Sequence, residues 1–519
     1  MPLLEETGYI PKRKYSTGYE LREHADRIVA KWKLNQIAWL RNRVTSLAWD
    51  DNAQEWATTL VPQTPGGGEK APITVKSRLA VLASGLLFVP HIPRIPGIET
   101  FKGACFHPAR WDYKATGGSE SNPDLVELRN KRVGIIGTGA TAIQVVPHLA
   151  EWAKELYVFQ RTPSAVDRRD NADTDPDWAR KELSSPGWQR ERQRNFHSFV
   201  TNDPAKPVGH DMVSDGWTRM PSYSAMTGTV GLDCSTAEAA QKHLKNLHTM
   251  DFPRQESIRK RVDELVTNPE VAAKLKPWYP GWCKRPCFHD GYLQVFNEPH
   301  VKLVDTSDRE ITAITEDGLI VGDEEFKVDV LIVSTGYRSL FSPSPPGRVS
   351  IEVTGRDGLS FEDKWQQGVT TLHGVMSHGF PNLFWPGLVQ AGGSPNFTSC
   401  VDMFSDHVAS VVAHAARTTS SGPVKARLPF TIEPSAEAEE EWSELVASQA
   451  GAFACIPGCT PNYYNNYGTV GQGLSPEQQA RLARGSLWVG GPEDYRRLLA
   501  EWRQAGYKGL EIAPVSKPH

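Results

Sequence analysis

Two glycines and an arginine carry the first chemical signal in this chain. Val133 to Ile136 is a short apolar run, Gly137-Thr138-Gly139-Ala140-Thr141-Ala142 is a small-residue turn, and residues 140–152 have helical spacing. A glycine-x-glycine turn between a strand and a helix suits a dinucleotide. Gly137 permits the tight turn, Gly139 lets the backbone approach a pyrophosphate, and Ala142 lets helix and strand pack closely. The helix N-terminus then faces the phosphates. About 20 residues further on, an NAD site carries an acid for the ribose hydroxyls. Here the chain reads Phe159-Gln160-Arg161-Thr162. Arg161 has the charge and fork geometry for a 2′-phosphate, so NADP(H) is expected and not NAD.

Cysteine is the other residue type with chemical scope. The seven are Cys105, Cys234, Cys283, Cys287, Cys400, Cys455 and Cys459. Two pairs have C-x-x-x-C spacing, and His289 follows Cys287. Structural zinc usually shows tighter paired spacing, so no metal site is expected. An odd count in a long chain without a secretory leader argues against a disulfide framework. Buried free thiols are expected.

The elements that position these residues fall into two blocks that echo each other. The first has a helix over 18–33, a hairpin over 44–61, a loop over 62–72 and an apolar strand over 79–83 that stops at Ser84-Gly85. Pro90, Pro93 and Pro96 then forbid regular structure. The second opens at Lys131 with strand, glycine turn and helix, and adds a strand over 155–159. A polar stretch over about 168–276 reads as a largely helical insertion. Strands over 301–333 end at Ser334-Thr335-Gly336. The echo suggests an α/β protein with two Rossmann-like dinucleotide-binding domains, one inserted in the other. Nothing like G-x-G-x-x-G lies between Met1 and Ser84, so the first domain is read as truncated.

With 519 residues the chain can bury a sizeable core. Its 57 basic and 61 acidic residues give a net charge of −4, which excludes a general nucleic-acid-binding field. The longest apolar stretch, Leu79 to Val89, is too short for a membrane span of about 20 residues. No signal peptide is visible, so a cytoplasmic address is expected.

Phe101-x-Gly103-x-x-x-His107-x-x-x-Trp111-Asp112 resembles the F-x-G-x-x-x-H-x-x-x-W-[P/D] fingerprint of Baeyer–Villiger monooxygenases, which are flavin-dependent class B monooxygenases. Gln160-Arg161-Thr162-Pro163, Cys283-Lys284-Arg285-Pro286, Val333-Ser334-Thr335-Gly336-Tyr337, Gln390-Ala391-Gly392 with Pro395-Asn396-Phe397, and Cys459-Thr460-Pro461 with Tyr464-Asn465-Asn466 agree. The later motifs look most like the branch acting on large cyclic and polycyclic ketones.

The resemblance implies the FAD/NAD(P)-binding fold and the cofactors NADP(H) and FAD. It implies a small-molecule ketone substrate, oxidised to an ester or lactone with O2, in secondary metabolism. Arg285 matches the active-site arginine, able to stabilise an anionic flavin peroxide and its ketone adduct. Lys284 matches a residue that holds the 2′-phosphate beside Arg161. Gly137, Thr138, Gly139, Ala142 and Thr162 complete the NADP set, and Gln390 and Asn396 are taken as contacts at the flavin-ring end. Phe101, Gly103, His107, Trp111 and Asp112 lie on a linker that relays domain movement.

The expected division is residues 1–115 as a remnant of the FAD-binding domain, 116–335 as the NADP-binding domain with its insertion, and 336–519 as the rest of the FAD-binding domain with a C-terminal extension. The family's first glycine-rich unit, its Gly-Thr-Trp-Tyr segment and its Asp-x-Glu-Ser segment are absent before Ser84. Met1 is therefore read as an internal methionine of a longer reading frame, and weak FAD binding is expected. Uncovered strand edges point to a homo-oligomer or to poor solubility. Two other readings compete: a naturally short, flavin-independent homologue catalysing an isomerisation or cyclisation, and a non-catalytic NADP-binding homologue.

Overall fold

The computed structural model describes residues 1–203, 210–338, 344–419 and 430–515. Its centre is a five-stranded parallel sheet in the order Val301–Asp305, Glu155–Gln160, Arg132–Ile136, Val330–Val333, Ala104–Phe106. A sheet covered on both faces needs apolar runs and not alternation. Val330 to Val333 meets that need, each residue being at most 1% exposed. Helix Ala142–Trp152 covers one face through Ile143, Val146 and Leu149. The meander Ile311–Ile314, Gly318–Val321 and Glu324–Lys327 covers the other through Ile314, Leu319 and Val321. The strand order reverses between Arg132–Ile136 and Val330–Val333, so a crevice opens at their carboxyl ends.

The edge strand Ala104–Phe106 comes from inside the fingerprint segment. Residues assigned by sequence to the first block thus complete the sheet of the second.

Helix Gly18–Lys31 forms as expected, with the Thr17 side chain accepting from the Glu20 amide. The expected hairpin is Asn42–Asp50 with Glu55–Pro62. It belongs to a four-stranded sheet with Ile73–Ser77 on one side and Glu352–Thr354 on the other. The apolar stretch 79–83 is a strand only at Ala80–Val81. It pairs on one side alone, with Leu383–Phe384, and leaves Val81 49% exposed.

The insertion is helical, as read, with Pro176–Glu182, Trp188–Val200, the 29-residue Ala237–Leu265 and Pro269–Leu275. Its Met220 and Tyr223, with Tyr279 and Trp282 just beyond it, share a core with Phe453, Ile456 and Tyr464 from the C-terminal part. That part is built on helices Phe397–Thr419, Ala436–Ser448 and Gly491–Gln504, and on the strand pair Phe430–Pro434 and Leu510–Pro514.

The cysteine expectation is corrected. Cys283 and Cys459 are disulfide-bonded, with Cα atoms 5.1 Å apart across a sequence separation of 176. The other five are free, four of them buried. Counting cysteines carried no information on this pair, because only the docking of the C-terminal part on the insertion brings them together. Among the described residues no helix is long and apolar enough to cross a membrane.

Candidate active site

The glycine turn sits in the crevice. The Gly137 amide donates to the Phe159 carbonyl at 2.9 Å, and its φ is +103°. A Cβ there would meet the Ser334 carbonyl oxygen at 2.5 Å, so only glycine fits. At Gly139 the opposite holds: a Cβ would meet nothing within 4 Å. Gly139 is exposed at the mouth of the turn, just before helix Ala142–Trp152, and Ala142 is fully buried beneath it. An open backbone with a helix N-terminus behind it is a phosphate cradle. Thr138 turns inward and donates to the Thr162 carbonyl at 2.9 Å. Its side chain ties the glycine turn to the segment carrying Arg161.

Two cations stand beside this cradle. Arg161 is exposed, and its Nη2 donates to the Pro461 carbonyl at 3.0 Å. Lys284 is half-buried, and burial together with the neighbouring Arg161 pushes its ammonium down to about 8. Two like charges held together on one rim call for an anion between them. The residues present therefore fit a phosphorylated dinucleotide. Among the described residues this is the one strand–glycine–helix cradle; residues 1–83 form two helices, the antiparallel strands Asn42–Asp50, Glu55–Pro62 and Ile73–Ser77, and the short strand Ala80–Val81, and do not present a second.

Arg285 follows directly. Its guanidinium lies 5.5 Å from the centroid of the Trp217 ring, and the residue is exposed. Crowding by protein disfavours its charge, but Tyr464, Tyr223 and Tyr463 outweigh that and hold its pKa above the ordinary value. The Tyr223 and Tyr464 hydroxyls are 3.2 Å apart. Both phenols line an otherwise mainly apolar niche with Leu86, Met226, Leu388 and Leu487. Sequence reasoning missed both tyrosines. Tyr464 was quoted only as part of a motif, and nothing in the insertion marked Tyr223.

The fingerprint residues have structural tasks. A Cβ on Gly103 would lie 2.4 Å from the Asp329 carbonyl oxygen and 2.7 Å from the Phe101 ring. His107 is buried, which lowers its pKa against the opposing pull of the Gly336 carbonyl. The neutral ring donates from Nε2 to Gly336 at 2.9 Å and accepts the Ala109 amide on Nδ1 at 3.1 Å. The Trp111 Nε1 donates to Thr116 at 3.0 Å, and the Asp112 carboxylate caps the turn at Tyr113–Thr116. The linker is thus fastened to the strand end at Gly336, beside the cradle.

Of the two residues expected at the flavin-ring end, Gln390 has its side chain wholly spent on protein, whereas Asn396 uses only its Oδ1. Gln390 is wholly buried; its Oε1 accepts from Thr371 at 2.5 Å, and its Nε2 donates to the carbonyls of Val369 and Arg484 at 3.1 and 2.8 Å. With every polar atom spent on protein, it braces the turn and offers nothing to a cofactor. The Asn396 side chain accepts from Thr398 and the Ser399 amide at 2.9 and 3.4 Å, capping helix Phe397–Thr419. A larger cavity, about 530 Å³, lies between helices Trp188–Val200 and Gly491–Gln504 and contains none of the predicted site residues.

No family model matches the chain. It is 46% identical over 519 residues to the chermesin D/asnovolin J monooxidase of Aspergillus novofumigatus, covering 99% of this chain and 77% of that protein. It is 44% identical over 518 residues to an FAD-binding monooxygenase of Aspergillus calidoustus, covering 99% of this chain and 75% of that protein. The solved polycyclic ketone monooxygenase from the thermophilic fungus Thermothelomyces thermophila superposes with a TM-score of 0.94 at 45% identity, over 99% of this chain and 80% of that one.

Proposed function

The chain belongs to the FAD-binding monooxygenases of the Baeyer–Villiger type, and on that premise we propose that it oxidises a polycyclic ketone to an ester or lactone with NADPH and O2, within secondary metabolism. The observation that carries this reading is the position of Arg285. It follows Lys284 of the proposed NADP site and feels the charge environment of Tyr223 and Tyr464, two phenols that line a mainly apolar niche suited to a ketone. The similarity to a protein named for polycyclic ketones supports the substrate class.

Gly137, Gly139 and the start of helix Ala142–Trp152 hold the pyrophosphate of NADPH. Arg161 and Lys284 hold its 2′-phosphate, and Thr138 and Thr162 keep the two parts in register. FAD, the cofactor for which the relatives are named, supplies oxygen activation when bound. Arg285 cannot act as a base, because a guanidinium stays protonated. It contributes a fixed positive charge where the reacting oxygens become negative. We read the protein as cytoplasmic and as a homo-oligomer.

The test is to incubate the protein with NADPH, FAD, air and a 17-keto steroid. A product heavier by one oxygen, formed with one NADPH consumed, is expected. NADPH binding without such a product, across a panel of fused-ring ketones, would overturn the reading in favour of a non-oxidative homologue.

A further inference from the structure

Among the described residues, the Arg285 guanidinium makes no hydrogen bond and no ion pair. The groups that favour its charge are three phenols and a thiol, with no carboxylate among them, and Arg169 stands near enough to repel it. A cation on a long, flexible stem has to be in place before the reacting oxygens turn negative. A carboxylate would hold it, but would also take its N–H donors and cancel its charge. An aromatic ring attracts a cation through its quadrupole and supplies no anion. The Trp217 ring is such a partner: its centroid is 5.5 Å from the guanidinium carbon, inside the roughly 6 Å over which the attraction acts.

Trp217 is itself firmly held. The buried Asp215 carboxylate accepts the Trp217 and Thr218 amides on Oδ1 at 2.9 and 3.2 Å, and the Tyr15 hydroxyl on Oδ2 at 2.7 Å. These bonds close a turn over 215–218. A Cβ on Gly216 would lie 2.2 Å from the Phe288 ring, so the turn presses on strand Cys287–Phe288 as closely as glycine allows. The indole then packs on Phe288 and makes a T-shaped contact with Tyr223, each with ring centroids 5.2 Å apart. Phe288 lies three residues past Arg285, so ring and cation are fixed to the same short stretch of chain.

We propose that Trp217 is a positioning residue for the oxygenation: its ring holds the Arg285 guanidinium in place and leaves the charge and the N–H groups free for the reacting oxygens. The assignment rests on the monooxygenase reading, in which Arg285 is the reaction's cation, and adds the device that orients it. Trp217 belongs to the insertion and lies in none of the motifs that carry the family resemblance.

The experiment weakens the ring without reshaping it. Mono-, di- and trifluorotryptophan are placed at position 217 alone in the whole protein, each fluorine withdrawing electron density from the ring face. With NADPH, FAD, air and a 17-keto steroid, kcat for oxygenated product should fall with each fluorine, by roughly three- to tenfold over the series. KM for the ketone, NADPH affinity and Tm should stay at their wild-type values. Trp217→Phe keeps a ring with a weaker face and should retain part of kcat; Trp217→Leu should retain least. A second measurement needs no turnover: the fluorine NMR resonance of monofluorotryptophan at 217 should move in Arg285→Ala.

A kcat that stays flat across the fluorinated series overturns the proposal. So does a Tm that falls in step with kcat, which would make Trp217 a packing residue, or a rise in KM with kcat unchanged, which would make it a wall for the substrate. A resonance that does not move in Arg285→Ala removes the contact itself. Failure of the monooxygenase reading looks different: no oxygenated product from the unsubstituted protein, with the resonance still moving in Arg285→Ala, which upholds the contact and removes the reaction it would serve.

Discussion

The Arg161 guanidinium donates to the carbonyl of Pro461 at 3.0 Å, two residues past the cysteine that is bonded to Cys283. The cation proposed for the 2′-phosphate is therefore held by the C-terminal loop, and Lys284 follows the other half of the same disulfide. Arg161→Ala should weaken NADPH binding about ten- to a hundredfold, since a charged hydrogen bond is worth roughly 1.5–3 kcal/mol. NADH binding should barely move. Fluorescence titration of both nucleotides decides it, and equal NADPH and NADH affinity in the wild type would sink the assignment.

The disulfide should be visible without a structure. Alkylation of the denatured, unreduced protein should modify five cysteines, and seven after reduction. Peptide mapping should recover Cys283 joined to Cys459. Because the bridge fastens the loop that holds Arg161, Cys459→Ser should raise the NADPH Kd several-fold and leave the NADH Kd near its wild-type value. Seven thiols before reduction would contradict the bond.

Lys284 sets a pH dependence. Its ammonium loses its proton near pH 8 and not near the ordinary 10.5, because of burial and Arg161. The charged form binds phosphate, so NADPH affinity should fall as pH rises from 7 to 9. In Lys284→Arg the charge persists, and the profile should flatten. A wild-type profile flat over that range would remove Lys284 from the 2′-phosphate site.

Arg285→Ala should leave NADPH affinity within about threefold and abolish oxygenated product, because its charge is required only where the oxygens turn negative; removing one such electrostatic group costs roughly 10²–10³ in rate. Product formation and NADPH binding are measured on the same preparation. Wild-type product formation in the variant would show that another group carries the charge.

Gly103→Ala tests the fingerprint as packing. The added Cβ has the Asp329 carbonyl and the Phe101 ring in its way, and the carbonyl belongs to backbone that cannot swing aside. A loss of about 1–3 kcal/mol is expected from overpacking, read as a lower Tm. Full stability in the variant would mean that the edge strand Ala104–Phe106 gives way without cost.

The NADP half was legible because its signals are local. Gly137, Gly139 and Ala142 lie within one turn, and Val330 to Val333 is apolar because both faces of the sheet are covered. The insertion showed as helical through its composition. What was not legible depends on chain segments meeting. Tyr223 and Tyr464 touch across a separation of 241 residues, and Cys283 and Cys459 across 176. Gln390 misled because a motif records that a residue is needed, not whether it faces a ligand or braces a turn. The 79–83 stretch was apolar enough for a strand, but strand length is fixed by partners, and Ala80–Val81 has one.

The niche wall is assembled from separate pieces of chain: Leu86, residues 223–227 of the insertion, Arg348, residues 388–395 before the long C-terminal helix, and Tyr464 and Leu487 of the terminal part. Tyr223, Met226, Tyr464 and Leu487 pack in one shared core with Leu388 against it, so none can be reshaped without disturbing the others. For directed evolution this means that libraries confined to one loop will mostly produce mismatched walls. Altered ketone preference should instead emerge from paired randomisation across Tyr223 or Met226, Leu388 and Leu487.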